Sequence, residues 1–127
     1  PGMGIYKLVR LRSAMSAVND ATENHPDDIQ IRLIRLMTFA FVGEISGYSE
    51  KVFADEAWFK QQFSTDPSTP DAIKQLVYLA LAHAYQPQNS EQSGRYLAQA
   101  QQIGPCPNTL ANVCETLPTA TLAAESE

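Results

Sequence analysis

Apolar residues in this chain recur at steps of three and four, interrupted by runs rich in proline, glycine and polar residues. Ile5, Leu8, Leu11, Met15, Val18 and Thr22 keep that spacing, the signature of one face of an amphipathic helix. It predicts a first helix over about 5–23, with Lys7, Arg10 and Arg12 mostly off the apolar face. The run from Asn24 to Asp28 ends it, because Pro26 disfavours helix in the residue before it. Asp27 or Asp28 can cap the next helix. This second helix, about 28–42, is apolar nearly all round, as in helices buried on several sides. A glycine-containing linker comes after it over 43–49. A third helix is expected over about 49–63, offering Val52, Phe53, Ala57, Phe59 and Phe63 to the core, with Trp58 at its edge.

The loop 64–70 prepares a fourth helix, about 70–85, with Thr69 as cap, Pro70 in the first turn and Asp71 near its positive end. Asn89 or Ser90 starts a fifth, about 90–103, and Gly104-Pro105 stops it. A short sixth helix over about 108–117 closes the pattern. Residues 118–127 lack periodicity and read as a mobile tail. Pro1-Gly2-Met3-Gly4 reads as an appended or flexible start. The expected domain is therefore 5–117: all-α, with five to six antiparallel helices stacked together.

One spacing repeats. Tyr78, Leu81, Ala82 and Tyr85 form a stripe on the fourth helix, followed by Leu97, Ala100 and Pro105. Leu110, Val113, Cys114 and Leu117 restart it, and Ala14, Val18, Ala21 and Pro26 match its second half. This pattern resembles the tetratricopeptide repeat, a helix-turn-helix unit of about 34 residues. The likeness covers 5–117 as architecture and is specific over 75–117. In the middle unit, counting from Pro26 puts Arg32 and Arg35 at buried positions. A shift of one residue puts Leu33, Leu36, Met37 and Ala40 there, which buries carbon rather than charge and is preferred. The segment 26–35 also resembles a bacterial repeat-like family in which a proline-acidic turn precedes an Arg-x-x-Arg helix.

The resemblance implies a non-catalytic module that binds a protein or peptide. Inner helices would line an apolar groove, here Ile31, Ile34, Thr38 and Phe41 beside Leu76, Leu79 and His83. Relatives that clamp a peptide carboxylate use lysine, asparagine and arginine there. Leu79 and His83 hold the matching places, so that clamp is not expected. The alternative is a structural or self-associating domain, or the terminal part of a larger repeat protein. An enzyme of unrecognised type is the third reading.

The remaining chemistry narrows these options. The 127 residues suffice for one core, and hydrophobic residues make up 44%. A net charge of −5 and the lack of a basic stripe argue against nucleic acid, even where Trp58 and Phe59 adjoin Lys60. Trp58 reads instead as an interface anchor. No apolar run reaches the roughly 18 residues needed to span a bilayer. No signal peptide is visible, which makes the cytoplasm the default and the periplasm the alternative if a signal was removed. His25 and His83 have no partner at metal-ligand spacing, and neither a nucleophile motif nor a phosphate loop occurs. No cofactor or metal is therefore expected.

Asp27-Asp28 and Asp55-Glu56 read as caps and solvated faces. Arg32 and Arg35 could hold an anion or pair structurally with Glu44, Asp55 or Glu56. Cys106 and Cys114 would lie about 12 Å apart on one regular helix, beyond disulfide reach. Two free thiols are expected, unless the chain turns back at Pro107.

Overall fold

The computed structural model describes the backbone of residues 2–42, 48–111 and 114, and the side chains of 13–41, 50–108, 110, 111 and 114. Within these residues lie α1 (Gly2–Asn24), α2 (Ile29–Val42), α3 (Tyr48–Thr65), α4 (Asp71–Tyr85) and α5 (Ser90–Ile103), then a 3-10 turn at Asn108–Leu110. Among the described residues there is no strand, so the fold is all-α.

The helix ends obey local chemistry. Asp28 starts α2, its Oδ1 accepting the backbone N–H groups of Gln30 (3.0 Å) and Ile31 (3.2 Å), which have no partner inside the helix. Asn89 does the same for α5, accepting from Gln92 N at 3.1 Å. Thr69 is not the cap of α4. Its hydroxyl donates back to Asp66 O at 2.8 Å, because Pro70 takes the cap position and no side chain bonds into the first turn. Gly104 ends α5 in extended backbone, φ 166°, a conformation open to any residue. Residues 2–4 continue α1 rather than forming a separate start. Of the expected sixth helix, Asn108–Leu110 is a 3-10 turn. Val113, residues 115–117, the 118–127 tail and linker residues 43–47 lie outside the described residues.

Packing centres on α2, which touches α1, α3 and α4, while α4 also packs on α3 and α5. Three neighbours explain why α2 is apolar nearly all round. The deepest side chains are Leu36, Val52, Phe59, Val77, Leu79 and Leu81. On α3 the buried face runs Val52, Asp55, Glu56, Phe59, with Phe63 packed partly against the core. Phe53 and Ala57, expected in the core, point outward, since they lie off that stripe. Small residues and internal bonds let α5 lie against α4. Gly94 is buried there, and Ser93 Oγ donates to Ala82 O at 2.5 Å. Gln75 Nε2 donates to the carbonyls of Gly104 (2.9 Å) and Pro105 (3.0 Å), fixing the end of α5. Among the described residues no buried side-chain nitrogen or oxygen lacks a partner, the usual state of a well-formed interior.

Cys106 and Cys114 are joined by a disulfide, with Cα atoms 6.5 Å apart. The expectation of two free thiols fails because the chain does not continue as one helix. Extended Gly104 and the turn at Pro107 fold it back, so the straight-helix distance does not apply. No helix of the described residues is long and apolar enough to cross a membrane.

Candidate functional site

Of the residues expected to line a groove on the inner helices, Leu79 is buried and the others are half-buried or exposed. Leu79 is 2% exposed and part of the core, because α2 and α4 pack directly on each other. His83 Nδ1 lies 3.0 Å from Ala40 O. A carbonyl oxygen only accepts, so this nitrogen carries the proton. Phe41 meets the His83 ring edge-on at 5.0 Å between centroids. His83 and Phe41 thus join α4 to α2. Ile31, Thr38 and Leu76 are half-buried. Ile34 stands apart at 53% exposure.

Arg32 and Arg35 are held by Asp55, which is fully buried. Arg35 donates Nε (2.9 Å) and Nη2 (2.7 Å) to the carboxylate in a two-pronged bond, and Arg32 Nη1 adds a third at 3.0 Å. Arg35 Nη1 also donates to Asn19 Oδ1 at 2.8 Å, and Arg32 Nε to Pro26 O at 2.7 Å. The cluster ties α1, α2 and α3 together, and Asp55 fills the place an external anion would take. The preference for burying carbon rather than charge on α2 was therefore too restrictive. Leu36 and Ala40 are buried, and so is Arg35 at 5% exposure, because bidentate pairing offsets its desolvation. Trp58 is half-buried under the Arg32 guanidinium, 5.2 Å from its ring, and meets Phe59 at 5.1 Å.

A hollow of about 600 Å³ lies instead where α3 and α5 flank α4. Its walls come from two helical stripes at spacings of three and four. On α3 these are Glu56, Phe59, Lys60 and Phe63, and on α5 they are Gln92, Arg95, Gln99 and Gln102. Val77, Tyr78 and Leu81 of α4 lie between them. The rings form a continuous series. Phe59 meets Phe63 (5.7 Å), Phe63 meets Tyr78 (5.9 Å), Tyr78 meets Tyr96 (6.1 Å) and Tyr96 meets Tyr85 (5.8 Å). Each such pair adds about 0.5–1.5 kcal/mol beyond its buried area, which makes the walls stiff. A smaller hollow of about 380 Å³ shares Tyr78, Gln99 and Gln102 and adds Lys74.

Glu56, read from sequence as part of a solvated face, is buried at the edge of this hollow. Tyr85 donates to its Oε1 at 2.7 Å and Tyr96 to its Oε2. One carboxylate therefore joins α3 to both α4 and α5. Burial first, and then the hydrogen bond to Glu56, push both phenols above their ordinary value. Burial alone raises Tyr78. All three hydroxyls stay protonated at neutral pH, and those of Tyr85 and Tyr96 act as donors to Glu56. The signal for Asp55 and Glu56 was present in the spacing, since both share a helical face with Val52, Phe59 and Phe63. Nothing local distinguished Arg95 and the three glutamines from an ordinary solvated face.

A third hollow, about 420 Å³, lies beneath the disulfide, with Leu79, Leu97 and Ala100 among its lining residues. Among the described residues no three His, Cys, Asp or Glu side chains gather as a metal site. Compared with family models, characterised proteins and solved structures, the chain matches none.

Proposed function

We propose that the chain is a non-catalytic binding module for another protein or peptide, built as a short tetratricopeptide-like array of antiparallel helices. The observation that carries this reading is the hollow between α3 and α5. It is wide and aromatic, and its walls are fixed by the Glu56 bonds and the ring series. A preformed concave surface of this kind loses little ordering entropy on binding. The binding surface is this outer hollow rather than the α2–α4 face, whose Leu79 and His83 serve the packing. The disulfide fits an oxidising compartment better than the cytoplasm.

Gln99 is exposed on α5, so Gln99→Trp blocks the hollow without touching the core. Affinity capture from a lysate with the wild type and this variant tests the reading. Proteins retained by the wild type and lost with Gln99→Trp support it, and identical capture by both sinks it. A structural, self-associating role is favoured by one observation, the exposure of Ile34 and Phe53. Light scattering at rising concentration tests it: a constant monomer mass would remove that reading.

A further inference from the structure

The two walls of the hollow differ in chemistry. The α3 wall and the α4 floor offer the half-buried rings of Phe63 and Tyr78, backed by the buried Phe59. The α5 wall offers three primary amides and a guanidinium in one stripe, Gln92, Arg95, Gln99 and Gln102. A glutamine amide both donates and accepts, the complement of a peptide unit with free N–H and C=O groups. An extended chain presents such groups, whereas a helix has already paired them internally. The stripe runs from Gln92 to Gln102, about ten helical steps or roughly 15 Å at 1.5 Å per residue. That length matches about four to five residues of extended chain.

Charge narrows the occupant further. Among the cations whose side chains are described, Arg32 and Arg35 are committed to Asp55. Lys60 and Arg95 stand at the rim of the hollow, and Lys74 lies over the Phe63 ring at 5.8 Å in the adjoining one. Three carboxylates match them in number, Glu56, Glu91 and Asp71, but none holds its cation in a buried pair. Glu56 is taken by two tyrosines, and Lys60 stays 3.8 Å from it with its own side chain 65% exposed. Arg95 pairs with Glu91 at 2.5 Å, but both side chains are mostly exposed, and such pairs hold little. Asp71 lies in the first turn of α4, where the helix's positive end favours it.

We infer that the occupant is an extended peptide segment carrying one bulky apolar side chain for the Phe63–Tyr78 floor and an acidic residue beside it. The acidic group meets Arg95, Lys60 or Lys74, and the peptide backbone lies along the α5 glutamines. This rests on the peptide-binding reading above and deepens it.

The test is selection of phage-displayed random nonapeptides on the wild-type protein, followed by affinity measurement of enriched sequences on variants. The expected result is a motif pairing a bulky apolar residue with Asp or Glu and lacking helical periodicity. Arg95→Glu should weaken its binding about tenfold or more, as loss of a charge-assisted bond implies. Gln99→Trp should abolish binding, and Ile34→Asp should leave it unchanged. Circular dichroism of each variant confirms that the fold is intact. Enriched peptides that depend on Gln99 but carry no acid, or that show a helical repeat, would overturn this inference while keeping the site. Peptides lost with Ile34→Asp and indifferent to Gln99→Trp would overturn both it and the site. No enrichment at all would overturn both as well.

Discussion

Replacing Asp55 by alanine removes the acceptor of three charged N–H groups and leaves their owners in place. The two arginines differ in what remains to them. Arg32 keeps its bond to Pro26 O and its place over Trp58, and its side chain is 14% exposed, so it can turn towards water. Arg35 keeps only the Asn19 bond among those its guanidinium makes, and it is buried. The dominant cost is therefore one stranded guanidinium. Removing one partner of a buried ion pair costs about 3–5 kcal/mol. A domain's total stability is about 5–15 kcal/mol, so the variant should lose about a fifth of it or more. At about 4 °C per kcal/mol for a chain of this size, its melting temperature should fall by about 12–20 °C.

Asp55→Asn keeps the shape but not the charge, and should fall between wild type and alanine. The double variant Arg35→Met, Asp55→Leu removes both charges and fills the space. It should recover much of the loss, because an apolar replacement of a buried pair is often neutral. Urea unfolding followed by circular dichroism at 222 nm reads all three, with the slope checked for a change of unfolded state. A cost below about 1 kcal/mol for Asp55→Ala would refute the argument. So would a double variant less stable than the single one. Either result would mean that water reaches Arg35, and that the cluster does not hold α1, α2 and α3 together.

The tyrosines and the disulfide lead to further outcomes. The folded values of Tyr85 and Tyr96 lie above the ordinary 10.0, so above pH 10 the unfolded chain loses these protons first. Stability should be complete below about pH 10 and fall as pH rises beyond it. Urea midpoints measured upward from pH 9 check the sign, and a midpoint that rises with pH would contradict it. Absorbance at 295 nm should show these phenols ionising only as the protein unfolds. The disulfide joins residues eight positions apart, a loop whose closure entropy corresponds to about 2.5 kcal/mol. The double variant Cys106→Ala, Cys114→Ala should lose up to that amount. Thiol titration of the native protein without reductant should find no free sulfhydryl, and two reactive thiols would remove the bridge.

The helices were legible because their apolar residues keep one period. The bounds of α5 match residue for residue, and those of α2 and α4 differ by one residue at the start. Their stops are local events, proline, asparagine and glycine, that a short window contains. Chain reversal after Pro105 was harder to read. It depends on Gln75, thirty residues earlier, holding the Pro105 carbonyl, and without that anchor the cysteines look like neighbours on a helix. Burial of Leu79 was hard to read for a similar reason. Nothing in Leu79 or His83 alone tells whether α2 lies against that face.

Burial of Asp55 and Glu56 shows where periodicity and composition conflict. Both sit on the stripe of Val52, Phe59 and Phe63, so spacing places them inside, while their charge suggests a solvated face. Spacing won because each carboxylate found fixed donors: two guanidiniums for Asp55, two phenols for Glu56. Those donors lie on α2, α4 and α5, 20 to 40 residues away, beyond the reach of a local pattern. The same conflict runs the other way on α5, where Gln92, Arg95, Gln99 and Gln102 are polar yet line the hollow between α3 and α5. A polar stripe facing solvent would need no opposite wall. This one faces Phe63 across Tyr78, and that half-polar, half-aromatic lining is what the proposed extended-peptide occupant rests on.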